Sequence, residues 1–424
     1  MKDRSPQKKI RHSLSVFSKS SAFFELYKST IKEGLIALLI CAVGDLIAGV
    51  ILGNMTLFLK DFPGLLVLIP GAIGMRGNIF GSFASRLSTN LHIGIISPKF
   101  KFSEDLNNNI FSSFVLTLVL SLFLAIVAKF LCILLNSPSM SVVDFIIISV
   151  FAGIISNLIM LPITMMVSFK SFENGWDPDN ITSPIIAAFG DLFTLPAIIL
   201  SLFLLSLFQS NLLIKEIILV IIVICVFISF IHCYRLSDET KTILKQSTPV
   251  LLLCSFLGGF AGGVLNSALE TFLTNPTLLT LLPLFSGESG SLISILGARL
   301  SSGLHSGLVE PLRRPKGYAL DNFSISFILG ILIFPFIGIL SEVSSHLFEM
   351  SEVGFAKIIE ISSISGMILL AVMVILVYCI SVTSYNHNLD PDNIVIPIST
   401  SVTDSISSFI LISVSILLLG GAIM

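Results

Sequence analysis

From about residue 35 to the C-terminus, long apolar stretches alternate with short polar connections. A helix needs ~20 residues to cross a hydrocarbon core of ~30 Å, and most of these stretches reach that length. The pattern predicts eleven spans, at about 35–57, 63–93, 109–135, 142–168, 182–208, 213–234, 248–269, 276–306, 322–347, 358–382 and 394–421. No connection exceeds about 15 residues, which leaves no room for a soluble catalytic or nucleotide-binding domain. The reading is an all-α polytopic membrane protein. Segment 13–30 mixes aromatic and basic residues, as either a helix lying on the membrane surface or a plain tether would. Residues 1–34 carry no pattern of a removable signal peptide, so the first span is expected to act as its own insertion signal.

The polar positions within the spans recur at one fixed offset. Adding 213 places Ala48-Gly49 on Ala261-Gly262, Pro70 on Pro283, Gly74 on Gly287 and Gly77 on Gly290. It also places Arg86-Leu87-Ser88 on Arg299-Leu300-Ser301, Asp177-Pro178-Asp179-Asn180-Ile181 on Asp390-Pro391-Asp392-Asn393-Ile394, and Asp191 on Asp404. Each copy holds five spans, an odd number, and the unmatched span at 213–234 restores the orientation. The expected organisation is a basic cytoplasmic segment (1–34), a first five-helix repeat (35–208), a linker helix (209–247) and a second repeat (248–424). The two repeats are expected to lie parallel, with a path at their interface. One chain supplies both halves, so a monomer suffices.

Composition agrees with the bilayer reading: 54% of residues are hydrophobic and only 12% charged. A net charge of −2 says little about partners, but the placement of basic residues does. Seventeen of the 24 Lys and Arg residues fall in connections on the N-terminal side and two, Lys60 and Lys357, on the other. That bias predicts a cell-membrane protein with a cytoplasmic N-terminus and an external C-terminus. No nucleic-acid patch is present. The six cysteines lie in or beside apolar runs without a CxxC pair and read as small core residues.

Ionisable groups inside a bilayer cost at least ~2.5–3.5 kcal/mol on insertion scales, which makes each a functional candidate. Four acids qualify: Asp45, Asp191, Glu288 and Asp404. The structural alternative for any one of them is a hydrogen-bond partner for a neighbouring helix. The runs Pro70 to Asn78 and Pro283 to Ser291 put proline and glycines (Gly74, Gly77, Gly287, Gly290) mid-span, where they are expected to break the helix and free backbone carbonyls, a simple kink being the alternative. Carboxylates, the Asn78 amide, the Ser291 hydroxyl and freed carbonyls make an all-oxygen environment suited to a hard cation. Magnesium keeps several waters and takes only one or two carboxylates, which suits Asp191 and Asp404 as the metal-facing pair. Arg76 is left with two readings: an ion pair with Asp45 or Glu288, or a fixed charge that discourages dehydrated ions.

Pro70, the Gly74–Asn78 segment, Ala84-Ser-Arg-Leu-Ser-Thr89, His92, Ser183-Pro184 and Gly190-Asp191-Leu-Phe-Thr-Leu-Pro196 together resemble the membrane domain of MgtE magnesium transporters. The chain is more similar still to the solute carrier family 41 proteins, which carry two such domains. The resemblance implies Mg2+ transport between two five-helix units, with no cofactor beyond the transported ion. It assigns the ion site to Asp191, to Asp404 by the repeat, and to Asn78. Ser291 replaces the second asparagine, Glu288 stands opposite Met75, and Asp45 opposite Gly258, so the site is only pseudo-symmetric. Two rivals are weighed. A carrier of a monovalent cation or organic solute would want aromatic lining or a lone carboxylate. An intramembrane aspartyl protease would use the Gly44-Asp45 and Gly190-Asp191 steps, and needs two carboxylates close enough to share a proton.

Overall fold

The computed structural model describes residues 16–93, 96–98, 103–173, 178–208, 211–350, 353–387 and 391–419. Thirteen helices run through them: α1 (Val16–Gly53), α2 (Thr56–Asp61), α3 (Leu65–Ile93), α4 (Glu104–Leu134), α5 (Val142–Glu173), α6 (Pro178–Ser206) and α7 (Leu212–Leu236), then α8 (Asp238–Ser267), α9 (Leu269–Thr274), α10 (Pro276–His305), α11 (Tyr318–Leu347), α12 (Phe355–Asn386) and α13 (Pro391–Leu419). Eleven of them are long and apolar enough to cross a membrane, the number the hydropathy pattern predicts. The Asp177 and Asp390 motif starts lie outside the described residues, as do the side chains of His92 and His305.

Local chemistry sets the helix ends. Ser103 and Asn211 accept backbone N–H bonds from Leu106 and Ile214 at 3.3 Å, capping α4 and α7. Ser237 and Thr240 form a capping box at the start of α8, with Asp238 and Glu239 complementing the helix dipole. After Gly53, Asn54 folds its amide onto the Val50 carbonyl at 2.9 Å and stops α1. The chain then turns through Gly64 at φ +83°, a conformation that favours glycine, into α3.

Two expectations are corrected. The first span does not begin near residue 35, because α1 is already helical from Val16 and most of segment 13–30 is its continuation. Tyr27 on this extension hydrogen-bonds Asp321 of α11 at 3.0 Å, an anchor a free tether would lack. Nor do the prolines and glycines break their helices: α3 runs unbroken through Pro70, Gly74 and Gly77, and α10 through Pro283, Gly287 and Gly290. A proline within a helix removes one ladder bond and crowds one carbonyl, and tight flanking helices absorb that loss. The glycines stay helical, and Gly287 serves instead as a point of close approach, against Asp45 of α1.

The packing crosses the midpoint of the sequence. α1 lies against α6 of its own half, but also against α10 and α11 of the other; α8 lies against α13, and also against α3 and α4. The first helix of each half is thus inserted into the opposite half. The crossings are close because glycine permits it. A Cβ built on Gly49 would overlap the Thr280 carbonyl, and one on Gly262 the Val67 carbonyl, equivalent points under the offset of 213. α7 stands apart, with only 17% of its apolar window buried, held at one end by an ion pair of 2.7 Å between Lys215 and Asp144.

Candidate functional site

The four intramembrane acids gather where the halves meet. Asp404, on α13, accepts a hydrogen bond from Ser286 Oγ of α10 at 2.7 Å. Its other oxygen faces Gly74 of α3, 3.4 Å from where a Cβ would stand, so this one carboxylate lies at the boundary of the two halves. Asp191, on α6, lies near Asp404 and within hydrogen-bonding reach of Asp45 on α1. Glu288, on α10, is close enough to act electrostatically on Asp45. Asp191 and Asp404 are half-buried, whereas Asp45 is 2% and Glu288 0% exposed. The symmetric pair thus keeps access to open space, and the two unmatched acids are enclosed behind it.

The enclosed acids are short of partners. One Asp45 oxygen and both Glu288 oxygens are buried without a hydrogen bond. Asp45 occupies space that Gly287 leaves, and a Cβ on Gly287 would overlap its carboxyl group. At the equivalent crossing, Gly258 packs instead against the Gly71 backbone, so the absence of a fifth acid there is enforced by contact. Changing Gly287 to Ala gains helix propensity of ~0.5–1 kcal/mol but overpacks by ~1–3 kcal/mol, whereas the same change at Gly74 makes only an ordinary contact. Thermal unfolding in detergent is expected to show Gly287→Ala below wild type and Gly74→Ala level with it.

The amide and hydroxyl positions are placed unequally. Asn78 Nδ2 reaches Ser401 Oγ across the halves at 3.4 Å, while Ser291 lies beside Cys41. Gly77 and Gly290 have nothing within 4 Å of an added Cβ, so both face open space from α3 and α10. Pro70 and Pro283 contribute no break. Among the described residues, no three Asp, Glu, His or Cys side chains converge as ligands of a bare metal ion. Arg76 pairs with neither Asp45 nor Glu288, and all three of its guanidinium nitrogens are without a partner. Arg86 and Arg299 donate to the side-chain amide oxygens of Asn109 and Asn322 on the next helix.

Four further residues belong here. Ser286 and Ser401 bond Asp404 and Asn78, and their counterparts are Ile73 and Ala188, so the repeat hides them. Cys41 and Cys254 are equivalent under the offset and line the same region, Cys41 beside Asp45 and Glu288, Cys254 beside Ser401 and Asp404. The offset alone would have found that pair.

Eleven apolar helices around carboxylates drawn from both halves define a multi-pass membrane protein with a polar interior. The chain belongs to the MgtE family, described as divalent cation transporters, which it matches twice, over residues 69–203 and 282–414. The two matches begin 213 residues apart, the offset read from the sequence. It is 26% identical over 325 residues to solute carrier family 41 member 2 of Gallus gallus, a match covering 70% of this chain and 55% of that protein. Over 416 residues it is 24% identical to member 3 of Rattus norvegicus, covering 90% and 86%. With member 2 of Homo sapiens it shares 25% over 404 residues, covering 89% and 68%. The chain therefore spans little more than half of the chicken relative. No solved structure matches it.

Proposed function

We propose that the chain carries Mg2+ across a cell membrane along a path between two parallel, pseudo-symmetric halves, with Asp191 and Asp404 facing the ion. The observation that carries this reading is the place of Asp404, which is held by Ser286 of its own half and lies beside Gly74 and Asp191 of the other. Two half-buried carboxylates with hydroxyl and amide neighbours suit a hydrated hard cation, which keeps its inner waters and needs few direct protein ligands. The lack of a tight three-ligand cluster among the described residues accords with that chemistry and disfavours a bare transition metal. Asp45 and Glu288 add negative charge behind the pair, and Gly77 and Gly290 leave width on the opposing helices. The basic connections put the N-terminus in the cytoplasm and the C-terminus outside, and one chain forms the whole path.

The protease reading gains one point, because Asp45 and Asp191 do lie in contact. It loses on space: Gly287 is packed directly against the Asp45 carboxyl, which leaves no room for a peptide. Purified protein in proteoliposomes is expected to pass Mg2+ down its gradient, read by an internal magnesium dye, and to exclude organic solutes. Flux of a monovalent cation or a solute without Mg2+ flux would assign the path to the rival carrier.

A further inference from the structure

Arg76 is the largest fully buried side chain among the described residues, with 0% exposure, yet none of its guanidinium nitrogens has a hydrogen-bond partner and no described carboxylate lies near enough to act on it. Its Cβ lies 3.7 Å from where a Cβ on Gly190 would stand, next to Asp191, but the side chain reaches the other way, into the seam between α4 and α5. There Nη2 lies 3.4 Å, and Ser121 Oγ 2.5 Å, from the point where a Cβ on Gly153 would stand. The Ser121 hydroxyl is likewise buried at 0% exposure and unpartnered. The seam around them is polar: Ser149 Oγ donates to the Ser121 carbonyl at 2.7 Å, and Asn157 Nδ2 to Thr117 Oγ1 at 2.8 Å. A delocalised cation and a free hydroxyl thus meet beside a glycine, with no anion among the described residues to balance the charge. An isolated buried guanidinium is among the costliest groups a fold can enclose, and an anion is what removes that cost.

The second half shows what the same place looks like without this demand. The offset turns Arg76 into Ser289, Thr117 into Gly330, Ser121 into Phe334 and Asn157 into Leu370. There the Phe334 ring fills the space against Gly366, the counterpart of Gly153, and Leu370 fills the space against Gly330. One half has an aromatic plug where the other has a cation and a hydroxyl.

We propose that the first half binds one small monovalent anion of the chloride class, held by the Arg76 guanidinium and the Ser121 hydroxyl in the seam between α4 and α5. Planar guanidinium donors and a hydroxyl suit a spherical anion, and the small Ser121 side chain stands where the second half has the bulk of the Phe334 ring. The anion cancels a fixed positive charge that would otherwise repel a cation passing Asp191. The site is distinct from the carboxylate path and stands whether or not Mg2+ is the cargo.

The test is equilibrium binding of radiolabelled chloride to the full-length protein in detergent, with gluconate replacing chloride at constant ionic strength and Mg2+ held fixed. Wild type is expected to bind one chloride per chain, saturably and in competition with bromide. The double variant Arg76→Ser with Ser121→Phe, which installs the second half's own residues, is expected to weaken binding at least tenfold while eluting as a single species. If that variant does not fold, Gly153→Ala decides, since its methyl group would overlap the Ser121 hydroxyl and push it from its place beside the Arg76 guanidinium. Loss of chloride binding in a folded Gly153→Ala protein supports the site. Absence of saturable binding in wild type, as when only water occupies the seam, overturns the proposal, and so does undiminished binding in the folded variants.

Discussion

Replacing Asp191 and Asp404 by Asn, singly, is expected to lower Mg2+ flux at least tenfold each, a loss of about 1.4 kcal/mol in stabilisation of the ion. Together the two changes should bring flux to the background of empty liposomes. Asn keeps the shape of Asp and an oxygen that can still accept from Ser286, so the change isolates charge from packing. Both carboxylates are half-buried, and expression and elution should hold because no tightly enclosed group is altered. The two single variants should not be equal. Asp191 has Asp45 as a contact and Asp404 has Ser286, so removing one charge leaves a different remainder in each half. Flux through the double variant equal to wild type, at matched protein per vesicle, would remove these residues from the ion path.

The largest effect on stability is expected at the helix crossings. Gly49→Val and Gly262→Val each drive side-chain atoms into a backbone carbonyl, of Thr280 and Val67, which cannot rotate aside. Overpacking costs ~1–3 kcal/mol where side chains can adjust, and contact with fixed backbone belongs at or above the top of that range. Loss of the folded peak, or a large fall in melting temperature, should follow in both. Gly77→Ala and Gly290→Ala are the matched controls: nothing lies within 4 Å of either added Cβ, and Ala favours a helix over Gly by ~0.5–1 kcal/mol. They should melt no lower than wild type. Equal melting of all four variants would mean the crossings are looser than described.

Particular residues show how far the sequence could be read. The eleven spans and the equivalence of Asp191 and Asp404 under the offset were legible, because apolar length and a fixed offset are properties of the chain itself. The broken helices were not there: Pro70 and Pro283 cost their helices one bond each, and only the flanking helices reveal that this loss is tolerated. Ser286 and Ser401 were invisible because their importance comes from partners far along the chain, Asp404 and Asn78, and their counterparts are apolar. Cys41 and Cys254 were in plain view, but read one at a time they were only small residues in apolar runs. The insertion of α1 against α10 had no local signal at all. Ala48-Gly49 and Ala261-Gly262 mark a close approach without saying to what.

That insertion bears on how the protein is made. Gly49 meets Thr280, which emerges from the ribosome roughly 230 residues later; at ~5–20 residues per second the delay is roughly 10–50 s. During that time the groove of α1 that will receive α10 can be covered only by lipid or by an insertion chaperone. A nascent chain stalled before α10 therefore holds a membrane-inserted but unfinished first half, and the second half completes it rather than merely joining it.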